Sequence, residues 1–416
     1  MDLRSNPAFL RGLTQSRKVS RRDAFRIAGM SVAGLALAAC GVQGRGTGTA
    51  TPSPDAVAAY WAGKKRNGTL RFANWPLYID KEGSKYPSLE LFEKEMGISV
   101  TYQEAIQENA TWFGKIQPQL AAGHDIGFDL MVMSNSIQLN RAIQLGYLAP
   151  LDHSKLPNFA SNAAAKVKNP IWDLGNTYTV PWTVGVTGIA YNPKYIDGEI
   201  TSVHELWNSK YKGKVGMMQD TQELANFAFF ALGIDPDKST QADWERAAAK
   251  LKEQREAGLV RKYYENDYVD ALVRGDIWIT MAWSGDIFQQ VAEGQDLKFY
   301  VPDEGGTIWT DNMCIPNTAA NPVDALALMD FVYKPEIATM LVEYINYITP
   351  VPLTKDLVLA NAAKAKGEDK KSLELIANSP LIYPSEADQS RLRVFKTLTI
   401  AEEKPFESAF QPIVQG

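Results

Sequence analysis

From residue 68 onward, short apolar runs alternate with helical patterns for more than 300 residues. No other feature of the chain restricts its fold as much. The strand-like runs are TLRFA (69–73), ISVTYQEA (98–105), FDLMVM (128–133), GVTGIAY (185–191), KVGMM (214–218), IWITMAW (277–283) and LKFYVP (297–302). Between them lie helical patterns such as SLELFEKEM (88–96), ATWFGKIQPQLAAG (110–123, with a Pro interruption), ELANFAFFALG (223–233) and QADWERAAAKLKEQREAG (241–258). Strands separated by helices cannot pair as hairpins, so the pattern predicts an α/β protein with mostly parallel sheets. In such sheets ligands collect at the carboxyl ends of strands. No Gly-rich phosphate loop is present, because GRGTG (44–48) follows no strand.

The amino end reads differently. Residues 1–39 carry seven Lys/Arg and two Asp, a net +5 against −5 for the whole chain, which leaves −10 for residues 40–416. An acidic body excludes nucleic acid as a natural partner and is compatible with a cationic ligand. Basic residues precede the apolar stretch IAGMSVAGLALAA, which ends at Cys40 and is too short to span a bilayer. SRRDAFR (20–26) resembles a twin-arginine export signal, with Ala24 displacing the usual aromatic by one place, and LAAC (37–40) resembles a lipobox. We therefore expect a signal peptide over 1–39 and a lipidated Cys40 as the mature N-terminus, with more than one acyl chain for stable anchoring. The Gly/Thr/Pro-rich segment that follows reads as a flexible tether over 40–67. A lipidated Cys40 leaves Cys314 without an intrachain partner, as a buried apolar residue in MCIP. His124, His153 and His204 have no metal-ligand spacing. No metal, cofactor or catalytic residue is expected.

Acids and aromatics recur together at strand ends. Trp75 and Tyr78 follow the first strand, where Asn74-Trp75-Pro76 stops it. Trp283 follows IWITMA, and Trp309 and Asp311 share one face of the extended segment GGTIWTDNMCIP. Asp220 and Glu223 stand at a strand–helix junction. Carboxylates among rings suit an alkylammonium ligand, which combines ion pairing with cation–π contacts of about 0.5–2 kcal/mol each. Other readings stay open on these residues alone. Asp220 and Glu223 have capping-box spacing, the aromatics suit a core equally well, and Trp with Asp also recognises sugars. Paired carboxylates further admit a glycosidase-like enzyme, although no nucleophile elbow appears.

The ordered set of motifs resembles the polyamine (spermidine/putrescine) substrate-binding proteins of bacterial ABC importers, over residues 68–416. NWPLY (74–78), FDLMVMSNS (128–136), VPWTVGVTGIAYN (180–192), ELWNSKYKGKVGMMQDTQE (205–223), AWSGD (282–286), GGTIWTDNMCIP (305–316) and YITP (347–350) follow in family order. The resemblance implies a type II periplasmic-binding-protein fold of two α/β lobes closing on ligand at a hinge. We assign 68–181 plus 310–348 to lobe 1 and 182–309 plus 349–416 to lobe 2. It implies a cleft lined by Trp75, Tyr78, Ser134, Asp220, Glu223, Trp283, Trp309, Asp311 and Tyr347, with the acids binding ammonium groups and the rings enclosing methylenes. The implied role is capture of an extracytoplasmic polyamine for an ABC permease, with a sugar or another small solute on the same fold as the alternative. Three positions depart from the family pattern: Met133 replaces the Pro of the turn, Leu77 stands where an acid often precedes the Tyr, and Ser136 where an aromatic often follows the Ser of the turn. Gln389 is the nearest candidate for a C-terminal glutamine that contributes in some members.

Overall fold

A computed structural model describes residues 52–265 and 267–415. The expected signal segment, the lipobox and Cys40 lie outside these residues. Ten strands run in chain order: β1 (Thr69–Asn74), β2 (Ser99–Glu104), β3 (Leu130–Ser134), β4 (Thr179–Tyr191), β5 (Val215–Met218), β6 (Val260–Tyr264), β7 (Ile279–Trp283), β8 (Lys298–Tyr300), β9 (Gly306–Cys314) and β10 (Leu392–Arg393). They form one connected path, β2-β1-β3-β9-β4-β7-β5-β6, with β8 on β4 and β10 on β9.

The two ends of this path are parallel sheets, β2-β1-β3 and β7-β5-β6, as the strand–helix alternation requires. Between them, β4 and β9 run antiparallel to each other and to their outer neighbours. The 13 residues of β4 are buried throughout, and its first half pairs with the part of β9 that meets β3 while its second half pairs with β7. These two strands cross from one sheet to the other, and the ladder shifts register between Pro181 and Thr183. Proline cannot donate to a ladder, so an irregularity belongs there. Each sheet carries its own apolar core. One is built around Phe72, Leu130 and Met329, the other around Met217, Phe227 and Met281. The molecule is therefore a two-lobed α/β protein, as expected.

Local sequence explains the flanking elements. The helix Pro87–Met96 starts on a proline at its first turn and stops at Gly97, whose φ is 65°. The helix Gln241–Glu256 begins with a Thr240–Asp243 capping box. β4 begins six residues earlier than the GVTGIAY run, because its Thr179–Trp182 part is apolar enough to be buried but has no alternation to mark it.

The tether expected over 40–67 does not extend to residue 67. Pro54–Trp61 is a helix, with Ser53 accepting from the Ala56 N–H at 3.2 Å. The Trp61 indole donates to the Pro150 carbonyl at 2.8 Å, and the Asn67 N–H to Asp324 at 2.8 Å. Ser-Pro-Asp is a helix-start signal, and it prevails over the low apolar content. No helix of the described residues is long and apolar enough to cross a membrane.

Candidate functional site

The crossing strands bring the strand-end acids together. Asp311 on β9 lies opposite Ser134 of β3 on one side and Thr183 of β4 on the other. Ser134 Oγ donates to Asp311 Oδ1 at 2.5 Å, and Tyr78 OH donates to Oδ2 at 2.6 Å. Since that phenol proton is used, Thr183 must donate its own to Tyr78 OH, 2.5 Å away. The turn after β1 aims Tyr78. Asn74 Nδ2 and the Trp182 indole both donate to the Tyr78 carbonyl, and the Trp75 N–H donates to Asn74 Oδ1 at 2.9 Å.

A second acid lies across the crossing. Thr187, four residues along β4 and on the same face as Thr183, donates to Glu223 Oε1 at 2.5 Å and accepts from the Trp309 indole at 3.1 Å. The Trp283 indole is 3.4 Å from the same Oε1, while Oε2 is buried without a partner. The Glu223 side chain therefore does not close a capping box. Asp220 does cap the helix Thr221–Ala231, its Oδ1 accepting from Gln222 N and Glu223 N at 2.9 Å each. Capping uses one oxygen and leaves Oδ2 without a hydrogen bond among the described residues.

Tyr347 joins the groups. Its ring lies 5.5 Å from that of Trp309 and 6.0 Å from that of Tyr78. Its hydroxyl donates at 3.0 Å to Asp286, which also accepts from Tyr268 at 2.8 Å. Two glycines make room for the rings. A Cβ on Gly185 would lie 2.1 Å from Trp309, and one on Gly285 would lie 2.4 Å from Tyr347. Trp75 is the member least tied to the rest: its indole donates to the Val132 carbonyl at 3.1 Å, and it packs at the seam between two apolar clusters of its lobe.

The electrostatics are one-sided. Among the described residues, no Lys, Arg or His donates to or pairs with Asp220, Glu223, Asp286 or Asp311. Burial pushes Glu223 up to about 8, against the pull of the Thr187 hydroxyl and with Asp220 adding repulsion. Burial likewise brings Asp311 to about 6 despite its two hydroxyl donors, and raises Asp286 despite Tyr268 and Tyr347. Asp220 rises to about 6 for want of solvation, with Glu407 nearby as a second cause. Asp220 is the exposed member of the four, so water reaches it and tempers this rise. The tyrosine hydroxyls at the site stay neutral, since burial and the adjacent acids hold them well above 10.

Four residues of this cluster were not anticipated from sequence: Asp286, Tyr268, Thr183 and Thr187. Asp286 had a signal, since it lies three residues after Trp283 in the first turn of the helix Ser284–Ala292. The two threonines had a fainter one, Thr183-x-Gly185-x-Thr187, a small and polar face inside an apolar strand. Gln389 binds the Pro384 carbonyl and Lys166 and joins none of these groups.

Two lobes, crossing strands and a cluster of acids and rings at strand ends define a solute-binding protein of the extracytoplasmic type. The chain belongs to the bacterial extracellular solute-binding protein family, whose model matches residues 88–369. It is 30% identical over 301 residues to the spermidine/putrescine-binding periplasmic protein of Salmonella typhimurium, covering 72% of this chain and 82% of the relative. It is 28% identical over 369 residues to the putrescine-binding periplasmic protein SpuD of Pseudomonas aeruginosa, covering 84% and 93%. A solved structure of a putative spermidine/putrescine ABC transporter from Listeria monocytogenes superposes with a TM-score of 0.69 at 26% identity, covering 84% of this chain and 99% of that one. The family is one of solute binders, not of enzymes.

Proposed function

We propose that this protein captures a polyamine of the putrescine/spermidine class outside the cytoplasm and delivers it to an ABC permease. The observation that carries the reading is the group of four acids that has no basic partner among the described residues. Of the four, Glu223 and Asp311 are buried, and buried carboxylates that are ionised ordinarily pair with a cation, which a cationic ligand would supply. Asp311 on one side and Glu223, Asp220 and Asp286 on the other would take the ammonium groups. Trp309, Trp283, Tyr347, Tyr78 and Trp75 would cover the methylene chain, and Ser134 would hold Asp311 in place. A sugar would not supply the missing positive charge. Because the acids belong to both lobes, a ligand that engages them all favours the closed arrangement.

Calorimetry with putrescine, spermidine and a maltodextrin tests the assignment. Binding of an amine without binding of the sugar is the expected outcome, and the reverse would refute it.

Export and anchoring rest on the amino-terminal signatures: we propose a twin-arginine type signal over 1–39 and a lipid on Cys40 that holds the protein at the outer face of the membrane. Cys40→Ala should release the protein from the membrane fraction, and retention there would count against lipidation.

A further inference from the structure

The candidate acids stand in strand order across the connected path. Asp220 and Glu223 follow β5, Asp311 lies on β9, and the path continues through β3 and β1 to the outer strand β2. Glu104 ends β2, in register with Asn74, the last residue of β1. Three strand spacings separate β2 from β9, about 14 Å at roughly 4.8 Å each. Tyr78 fills that interval. Its hydroxyl is on Asp311, while the N–H of the preceding residue, Leu77, donates to Glu104 Oε1 at 3.3 Å. Glu104 also stands within a collar of three half-buried tyrosines. Tyr102 lies two residues earlier on the same strand face, and its hydroxyl donates to the Trp75 carbonyl at 3.4 Å. Tyr86 packs on Tyr102 with ring centres 4.7 Å apart. Tyr344, three residues before Tyr347, completes the collar. Burial first and the Glu104 charge second raise all three hydroxyls, so each stays neutral beside this carboxylate.

An alkylammonium already sits on one of these rings, for Lys81 Nζ is 5.7 Å from the centre of Tyr86. Among the described residues no Lys, Arg or His pairs with Glu104, which is exposed and keeps Oε2 free of hydrogen bonds. Asp80, the other acid beside Tyr344, is buried and engaged by Ser88. We infer that Glu104 with its tyrosine collar is an outer subsite for a further ammonium group, and that it selects triamines over diamines. The inference rests on the polyamine reading and extends it to chain length. A diamine that bridges Asp311 and Glu223 leaves no charge for the far side of Tyr78, whereas a triamine carries a third one on an added aminoalkyl arm. Glu104 meets that arm as an exposed acid, so its contribution is modest and screened by salt.

Calorimetry with putrescine and spermidine on the full chain, for the parent and for Glu104→Gln, tests the subsite. Gln keeps an oxygen for the Leu77 N–H and removes only the charge. Spermidine affinity should fall about three- to fivefold, the scale of an exposed ion pair, with putrescine unchanged. The difference should shrink at about 0.5 M salt. A spermidine-to-putrescine ratio that Glu104→Gln leaves at its parent value would overturn the subsite. Glu104→Ala separates a structural role, because it also frees the Leu77 N–H. Equal losses of both amines in this variant, with none in Glu104→Gln, would mean that Glu104 only shapes the turn. Parent protein that binds neither amine would refute the polyamine reading and this extension with it. Amine binding with an unchanged ratio refutes the extension alone.

Discussion

Ser134 and Asp311 face each other directly across the antiparallel β3–β9 ladder, and the serine hydroxyl donates to the carboxylate at 2.5 Å. With Tyr78 on the other oxygen, Asp311 is held in one orientation by neutral groups alone. That arrangement fixes an acid in place without neutralising it, which suits a site for an incoming cation.

Asp311→Asn keeps the shape and removes the charge. Diamine binding should weaken by roughly 1.5–3 kcal/mol, the worth of a hydrogen bond to a charged group. Calorimetry would read this as about a 10- to 150-fold loss. Unchanged affinity would remove Asp311 from the site.

Protonation should govern both binding and stability. A cation requires ionised acids, so affinity should rise with pH as Asp311 and Asp220, near 6, and then Glu223, near 8, lose their protons. Folding runs the other way. These groups hold protons in the folded state at pH values where the unfolded chain has released them, so the ligand-free protein loses stability as pH rises from about 4 to about 8. Melting temperatures with and without putrescine across this range should therefore diverge. Parallel curves would mean that these acids do not meet the ligand.

Gly185→Ala tests the seating of Trp309. The added Cβ would sit 2.1 Å from the indole ring, so the ring must leave its place and with it the bond to Thr187. Overpacking of this kind costs about 1–3 kcal/mol. Denaturant midpoints should fall and tryptophan emission should shift, with amine affinity falling beyond what stability explains. A variant with parent-like emission and affinity would show that the indole position is not critical.

Leu77 is exposed and adopts φ 57° at the turn between Trp75 and Tyr78, and its N–H donates to Glu104 at 3.3 Å. Asp tolerates that backbone conformation better than Leu. Leu77→Asp should therefore be well tolerated and should favour spermidine over putrescine by up to about fivefold, the scale of an exposed ion pair. Competition calorimetry reads the ratio, and an unchanged ratio would place chain-length selection elsewhere.

Much of this was legible in the residue order, because strands and helices follow from local periodicity and the candidate acids and rings stand at strand ends. Trp75, Tyr78, Asp220, Glu223, Trp283, Trp309 and Asp311 could all be singled out in that way. The sequence could not say whether Asp220 caps or binds, since one carboxylate has two oxygens and only geometry divides their work. It could not reveal the helix at 54–61 as a docked element, because Trp61 meets Pro150 across 89 residues. The β3–β9 register that sets Ser134 on Asp311, the Thr187 bridge from Trp309 to Glu223, and the reach of Glu104 to the Leu77 N–H all join residues far apart in the chain. Local sequence determined which segments are strands and which residues carry charge. Only the crossing of β4 and β9 decided which charges share a buried space without a counterion, because desolvation and hydrogen bonding depend on what packs around a group.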